Sequence, residues 1–184
     1  VPPMHERLRI LHDPVAYYRP WQAAPAALSA SQRSALNRWL CHAHRLPSAP
    51  ADDGTPAPLV ERLVRGWGRI PTAAWLLACA GHRRHVLGAR WLATQPPALH
   101  AFLRLGFPEA CVRWSQPPPP AMLLAWGGQQ LQGGLRGQLP DWLHARIALW
   151  FKGLPALPEE VLAGVHPFDM TCFLSAWNHA EDLS

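Results

Sequence analysis

The run AAWLLACA, Ala73–Ala80, is apolar on every face. A helix with no polar side is stable only when other helices surround it, so this segment, with Thr72 as its cap, reads as the centre of a bundle. Val, Ile and Thr are scarce while Ala and Leu abound. That composition predicts an all-α or mostly α body, an irregular multi-helix arrangement whose only departure is a small N-terminal lobe or a short strand segment.

Working outward from the central run, Leu59, Leu63 and Trp67 fall in line on a helix from about Leu59 to Arg69. On the other side, a helix over Arg84–Ala93 places Val86, Leu87 and Trp91 on one face, and Arg83, Arg90 and Thr94 on the opposite one. Pro96-Pro97 opens a further helix with Leu99, Phe102 and Leu103 inward and His100 and Arg104 outward, closed by Gly106. A short helix is expected over Pro108–Trp114. Pro117–Pro120 reads as a polyproline spacer or a stiff surface loop, because four consecutive missing amides exclude helix and sheet pairing. Beyond it, Ala121–Trp126 is expected to be a short helix that gives way to a mobile loop at GGQQLQGG, Gly127–Gly134. Asp141 caps a helix with Trp142, Leu143, Ile147, Trp150 and Phe151 facing in. Pro158-Glu159-Glu160 starts another, and Phe168–Trp177 is the last.

Toward the N-terminus, SAPADDGTPAP, Ser48–Pro58, holds nothing that would anchor a core and reads as a linker. It divides the chain into an N-terminal segment with its first helix (1–47), the linker (48–58) and a helical main body (59–184). The first helix is capped by Ser29 or Ser31, runs to about Leu46, and turns Leu36, Trp39, Leu40 and Ala43 inward; Ala23–Ala30 before it is a loose connector. The opening stretch RLRILHDPVAYYRPW, Arg7–Trp21, reads as an anchor. Leu8 and Ile10 lie on one side of an extended chain, Arg7 and Arg9 lie on the other, and Asp13-Pro14 turns it.

At 184 residues the chain fits one domain, or one with a smaller lobe, and is long enough to bury a sizeable core. Ten Trp favour contact surfaces as well as core. The net charge of +5 is uneven. Residues 65–140 carry eight Arg and a single acid, Glu109, whereas from Asp141 onward six acids face Arg146 and Lys152. The isolated cysteines Cys41, Cys79, Cys111 and Cys172 read as buried thiols of a reducing compartment. No apolar run approaches the length of a membrane span, and no basic stretch precedes a long apolar one as in a signal peptide.

Catalytic signatures are missing. GxSxG, HExxH and the phosphate loop do not occur, and the paired acids Asp52-Asp53 and Glu159-Glu160 fall in a linker and on a helix start, away from any cleft. Cys79, His82 and His85 have helical spacing for zinc, but Gly81 interrupts them and no fourth ligand is near; Cys41, His42 and His44 lack a distant partner likewise. No metal or cofactor is expected. Arg83, Arg84, Arg90, Arg104 and Arg113 leave three readings open. They could form a phosphate-binding stripe of an arginine-rich helical nucleic-acid-binding protein, a surface meeting an acidic protein, or a solvated basic face. No helix-turn-helix of ordinary length accompanies them, and the Gln cluster lies in a Gly-rich stretch unsuited to reading bases.

Two stretches carry a resemblance. Leu8-Arg9-Ile10 followed by Pro14-Val15-Ala16-Tyr17-Tyr18-Arg19-Pro20 resembles the opening of the SctK family of type III secretion sorting-platform accessory proteins, which includes YscK, PscK and OrgA. Trp75-Leu76-Leu77, Gly81, Arg83-Arg84 through Arg90, and Phe102-Leu103-Arg104-Leu105-Gly106 are similar to the order of its central helices. The proline run and the Gly/Gln stretch have no counterpart in it. The resemblance implies a soluble cytoplasmic adaptor, not an enzyme, with no cofactor. It would join the cytoplasmic domain of the inner-membrane ring protein (SctD-like) to the pod protein (SctQ-like), and through the pods reach the stator and ATPase. An adaptor needs two separated surfaces. Arg83, Arg84, Arg90 and Arg104 are the expected electrostatic one, and Trp21, Trp114 and Trp126, which flank loops, are the expected aromatic anchors of the other.

Overall fold

Among the described residues of the computed structural model, which are 3–22, 28–48, 57–111, 114, 116–162 and 167–183, all regular structure is helical. At residues 3, 4, 21 and 22 the description is of the backbone alone. The helices are α1 (Pro3–His12), α2 (Arg19–Gln22), α3 (Ala30–Ala43), α4 (Pro58–Arg65), α5 (Ile70–Gly81), α6 (Arg83–Leu87), α7 (Pro97–Leu103), α8 (Pro120–Gly134), α9 (Asp141–Ile147), α10 (Glu159–Leu162) and α11 (Met170–His179), with 3₁₀ turns between several of them. They fall into two compact units. One takes residues up to Gly68 together with Leu135–Gly153; the other takes Arg69–Gly134 and the residues from Leu154 on. Most of the stretch read as a linker, residues 49–56, lies outside the described residues, as does the connector at 23–27.

In the first unit the opening stretch is helical, which corrects the extended reading. Four residues of Arg/apolar alternation fit either period, and the helix turns Ile10 into the core while leaving Leu8 exposed. α1 packs on α4, whose Val60, Leu63 and Val64 are buried. Asp13 then leads into a 3₁₀ turn, Pro14–Ala16, and Tyr17 drops into the core. Its hydroxyl donates to the Ile10 carbonyl at 2.6 Å, and its ring lies edge-on to Trp67 at 5.1 Å and tilted to Trp150 at 5.9 Å. Burial pushes the Tyr17 phenol well up, so it stays a neutral donor.

α3 is capped by Ser29, whose hydroxyl accepts from the Gln32 amide while the Gln32 side chain accepts from the Ser29 amide. Its inward side holds Leu40 and part of Asn37; Trp39 is 54% exposed and Ala43 is exposed, so the expected inward stripe is corrected there. Asn37 bridges to the turn, accepting from the Val15 amide at 2.9 Å and donating to Asp13 at 2.9 Å. Arg33 forks onto the same Asp13 carboxylate, with its Nε at 2.8 Å. The Arg146 guanidinium of α9, 3% exposed, donates to the carbonyls of Pro47 at 2.7 Å, Trp142 at 3.0 Å and Leu11 at 3.2 Å.

The second unit is built on α5, which carries the all-apolar run and starts two residues before the expected Thr72 cap, with Pro71 in its first turn. Ala73, Ala74, Leu76, Leu77, Ala78, Cys79 and Ala80 are all buried, each Leu contributing roughly 1.5–3 kcal/mol. α8 and α11 pack against it, with α7 alongside. The stretch expected to be a mobile loop is the second half of α8, a correction with a packing reason. A Cβ on Gly127 would run into the Ala74 carbonyl, so glycine here lets two helix backbones approach closely instead of making the chain mobile. Pro120 begins α8, which corrects the exclusion of helix across the whole proline run, since a first-turn residue needs no amide donor; the Pro118 carbonyl accepts from the Trp91 indole at 3.2 Å.

Three smaller expectations also change. The helix read over Arg84–Ala93 breaks at Gly88 into α6 and a 3₁₀ turn, Arg90–Thr94, leaving Leu87 exposed. The described residues of 108–114 are not helical. Cys111 is exposed and Cys41 half-buried, whereas Cys79 and Cys172 are buried, with the Cys172 thiol pushed up to about 12 by burial and then by Asp169.

Candidate partner-binding surface

α5 ends at Gly81 and the chain turns at once into α6, so Arg83 and Arg84 begin a short helix directly beside the core. The segment after α7 returns to the same place. Gly106, at φ +68°, makes the turn in the left-handed region that favours glycine, and the Ala110 amide donates to the Gly81 carbonyl at 2.7 Å. Between α6 and this segment lies an open groove of about 820 Å³, whose walls include Arg83, Arg84, His85, Phe107, Glu109 and Cys111. An Arg83 terminal nitrogen stands 3.7 Å from where a Gly106 Cβ would be, so the guanidinium lies across the turn. Glu109 accepts from the Arg84 backbone amide at 3.2 Å and faces its Nε at 3.5 Å.

Arg83 and Arg84 are thus brought together. Arg90 on its 3₁₀ turn and Arg104 at the end of α7 are exposed but lie outside the groove's lining. Among the described residues, Arg83, Arg90 and Arg104 make no ion pair. Leu87 and Leu105, on the two elements that flank the groove, are large exposed apolar side chains. Arg113 and the side chain of Trp21 lie outside the described residues.

The expected Trp anchors divide. Trp126 is 2% exposed and belongs to the core, which corrects its reading as an exposed anchor: α8 continues past it, so it flanks no loop. Trp114 is half-buried, and its indole N–H donates to His82 Nδ1 at 3.2 Å. Because an indole nitrogen only donates, His82 Nδ1 is the acceptor and the neutral ring carries its proton on Nε2. His82, 1% exposed, packs edge-on to Trp126 at 4.4 Å and to Trp114 at 5.5 Å, a cluster beneath α6. His82 is therefore engaged by aromatic neighbours. Among the described residues, no group of three or more His, Cys, Asp or Glu could hold a metal ion, and no helix is long and apolar enough to cross a membrane.

Two features escaped the sequence reading: the exposed Trp39, hidden by its place in an i, i+3, i+4 pattern, and Glu109 within the basic groove. The isolation of Glu109 among eight arginines was the available signal.

No solved structure matches the chain. The oxygen-regulated invasion protein OrgA of Salmonella typhimurium, in strains SL1344 and LT2, is 29% identical over 176 residues, covering 94% of this chain and 85% of the relative. The family model described as bacterial type III secretion apparatus protein (OrgA_MxiK) matches residues 7–182. The chain therefore belongs to the OrgA_MxiK family of bacterial type III secretion apparatus proteins.

Proposed function

We propose that this chain is a non-enzymatic adaptor of the type III secretion sorting platform. It works on the cytoplasmic side of the bacterial inner membrane and links the cytoplasmic domain of the inner-membrane ring protein to the pod protein. Through the pods it reaches the stator and ATPase. The observation that carries the reading is the basic groove of Arg83 and Arg84, flanked by exposed Leu87 and Leu105, in a member of a secretion-apparatus family. Guanidinium groups, Arg84 exposed and Arg83 half-buried, beside apolar side chains suit an acidic protein surface, the charges giving orientation and on-rate and the leucines buried area. Arg90 and Arg104 extend the same sign of charge beyond the groove. Trp114, half-buried and bonded to His82 directly before Arg83, adds an aromatic side chain on the basic side.

The test is a pull-down of purified ring-protein cytoplasmic domain and pod protein by this chain, beside a salt-titrated DNA-binding measurement. The adaptor retains both proteins, and Arg83→Glu with Arg90→Glu weakens ring association while leaving the helical circular-dichroism signal intact. Binding at wild-type strength by that variant contradicts the assignment of the basic side. A steep salt slope on DNA with neither protein retained contradicts the adaptor reading itself.

A further inference from the structure

We propose that the groove between α6 and the 104–111 segment receives an acidic peptide segment of the partner, and that Glu109 is a built-in placeholder which that peptide displaces from Arg84. The inference rests on the adaptor reading and names the chemistry of the occupant.

Three observations carry it. Glu109 is the single acid among residues 65–140, against eight arginines, and the fold brings it into the groove. The Arg84 backbone amide keeps the carboxylate in place at 3.2 Å, while its hold on the Arg84 side chain is loose. The 3.5 Å separation from Nε exceeds the roughly 2.7–2.9 Å of a full charge-assisted bond, and the Arg84 side chain is 86% exposed. Arg83, across Gly106, makes no ion pair among the described residues, so the groove holds more guanidinium than carboxylate. An incoming carboxylate can take the Arg84 fork end-on and a second can reach Arg83, while half-buried Phe107 offers an apolar contact to a residue between them. Glu109 then swings from counter-ion to competitor, because its charge repels the carboxylates that replace it.

That role predicts a sign which a solvated basic face does not. The experiment uses the full chain and fluorescence anisotropy with a fluorescein-labelled decapeptide carrying four carboxylates around two leucines. Its counterpart carries amides in place of the acids. Wild type binds the acidic probe more tightly than the amide probe. Glu109→Gln tightens the acidic probe about two- to fivefold, the worth of one exposed ion pair, and Arg84→Glu loosens it by at least as much. Arg84 is exposed, so its reversal leaves the fold intact, and Arg90→Glu, outside the lining, changes binding less than Arg84→Glu. Unchanged or weaker binding by Glu109→Gln, equal binding of the two probes, or tighter binding of a labelled single-stranded oligonucleotide overturns the proposal. The ring and pod pull-down, run on the same variants, separates the two failures. Retention of both proteins by the Arg84 variant at wild-type strength sinks the groove alone, whereas the predicted probe behaviour with neither protein retained sinks the adaptor reading alone.

Discussion

The Arg146 guanidinium donates to three carbonyls in place of a carboxylate among the described residues, and two of those acceptors lie 99 and 135 positions away along the chain. Arg146→Met leaves the part-buried Pro47 and Leu11 carbonyls without this donor and should cost roughly 1–3 kcal/mol, read as a lowered urea midpoint. Arg45 is the opposite case. It closes α3 with φ +48°, the Leu46 amide returning to the Cys41 carbonyl at 2.9 Å, a position that favours glycine. Arg45→Gly should raise stability by about 1 kcal/mol in the same titration. Partial burial alone would raise the Asp13 carboxyl, but hydrogen bonds from Arg33 and Asn37 and the charges of Arg33 and Arg9 outweigh it and hold it below the ordinary carboxylate range. Folded Asp13 thus binds fewer protons than unfolded, so its contribution is present above about pH 4 and fades as pH falls through the folded value. The stability gap between wild type and Asp13→Asn should therefore shrink in acid, measured as urea midpoints across that range. Asp13-Pro14 was legible as a turn, because turn chemistry is local. Arg146 was not, since nothing near it in sequence marks acceptors a hundred residues off.

At the scale of elements, α5 and α8 show both what periodicity reveals and what it hides. An all-apolar run can only be buried, so α5 was readable as the core of its unit. The Gly/Gln stretch was not, because glycine signals turns and close helix approach with the same letter. Two substitutions in α8 separate the meanings. Gly127→Ala must push α8 off the Ala74 carbonyl and should destabilise by more than about 3 kcal/mol, whereas Gly133→Ala meets open space and should stabilise by about 0.5–1 kcal/mol through helix propensity. A mobile loop would tolerate both alike in thermal melts. The opening helix α1 carries the same lesson: four residues are too few to tell a period of 2 from one of 3.6.

Over the whole molecule, charge was the most readable property. The basic middle and acidic C-terminal part are visible in composition, and the fold gathers Arg83 and Arg84 with the lone Glu109 into one groove. The grouping of residues was not readable: 59–68 and 135–153 join the N-terminal residues because Tyr17, Trp67 and Trp150 share one aromatic cluster, a long-range contact with no local trace. Tyr17, within the Pro14–Pro20 segment that carries the family likeness, sits in that cluster, so in the first unit the segment serves as a core anchor and leaves recognition to exposed side chains. The most direct measurement of the adaptor account is size-exclusion chromatography with light scattering on this chain mixed with the ring protein's cytoplasmic domain and the pod protein. The account predicts one ternary peak that loses the ring component on reversal of Arg83 and Arg90. Three separate peaks, or a ternary peak indifferent to that reversal, would contradict it.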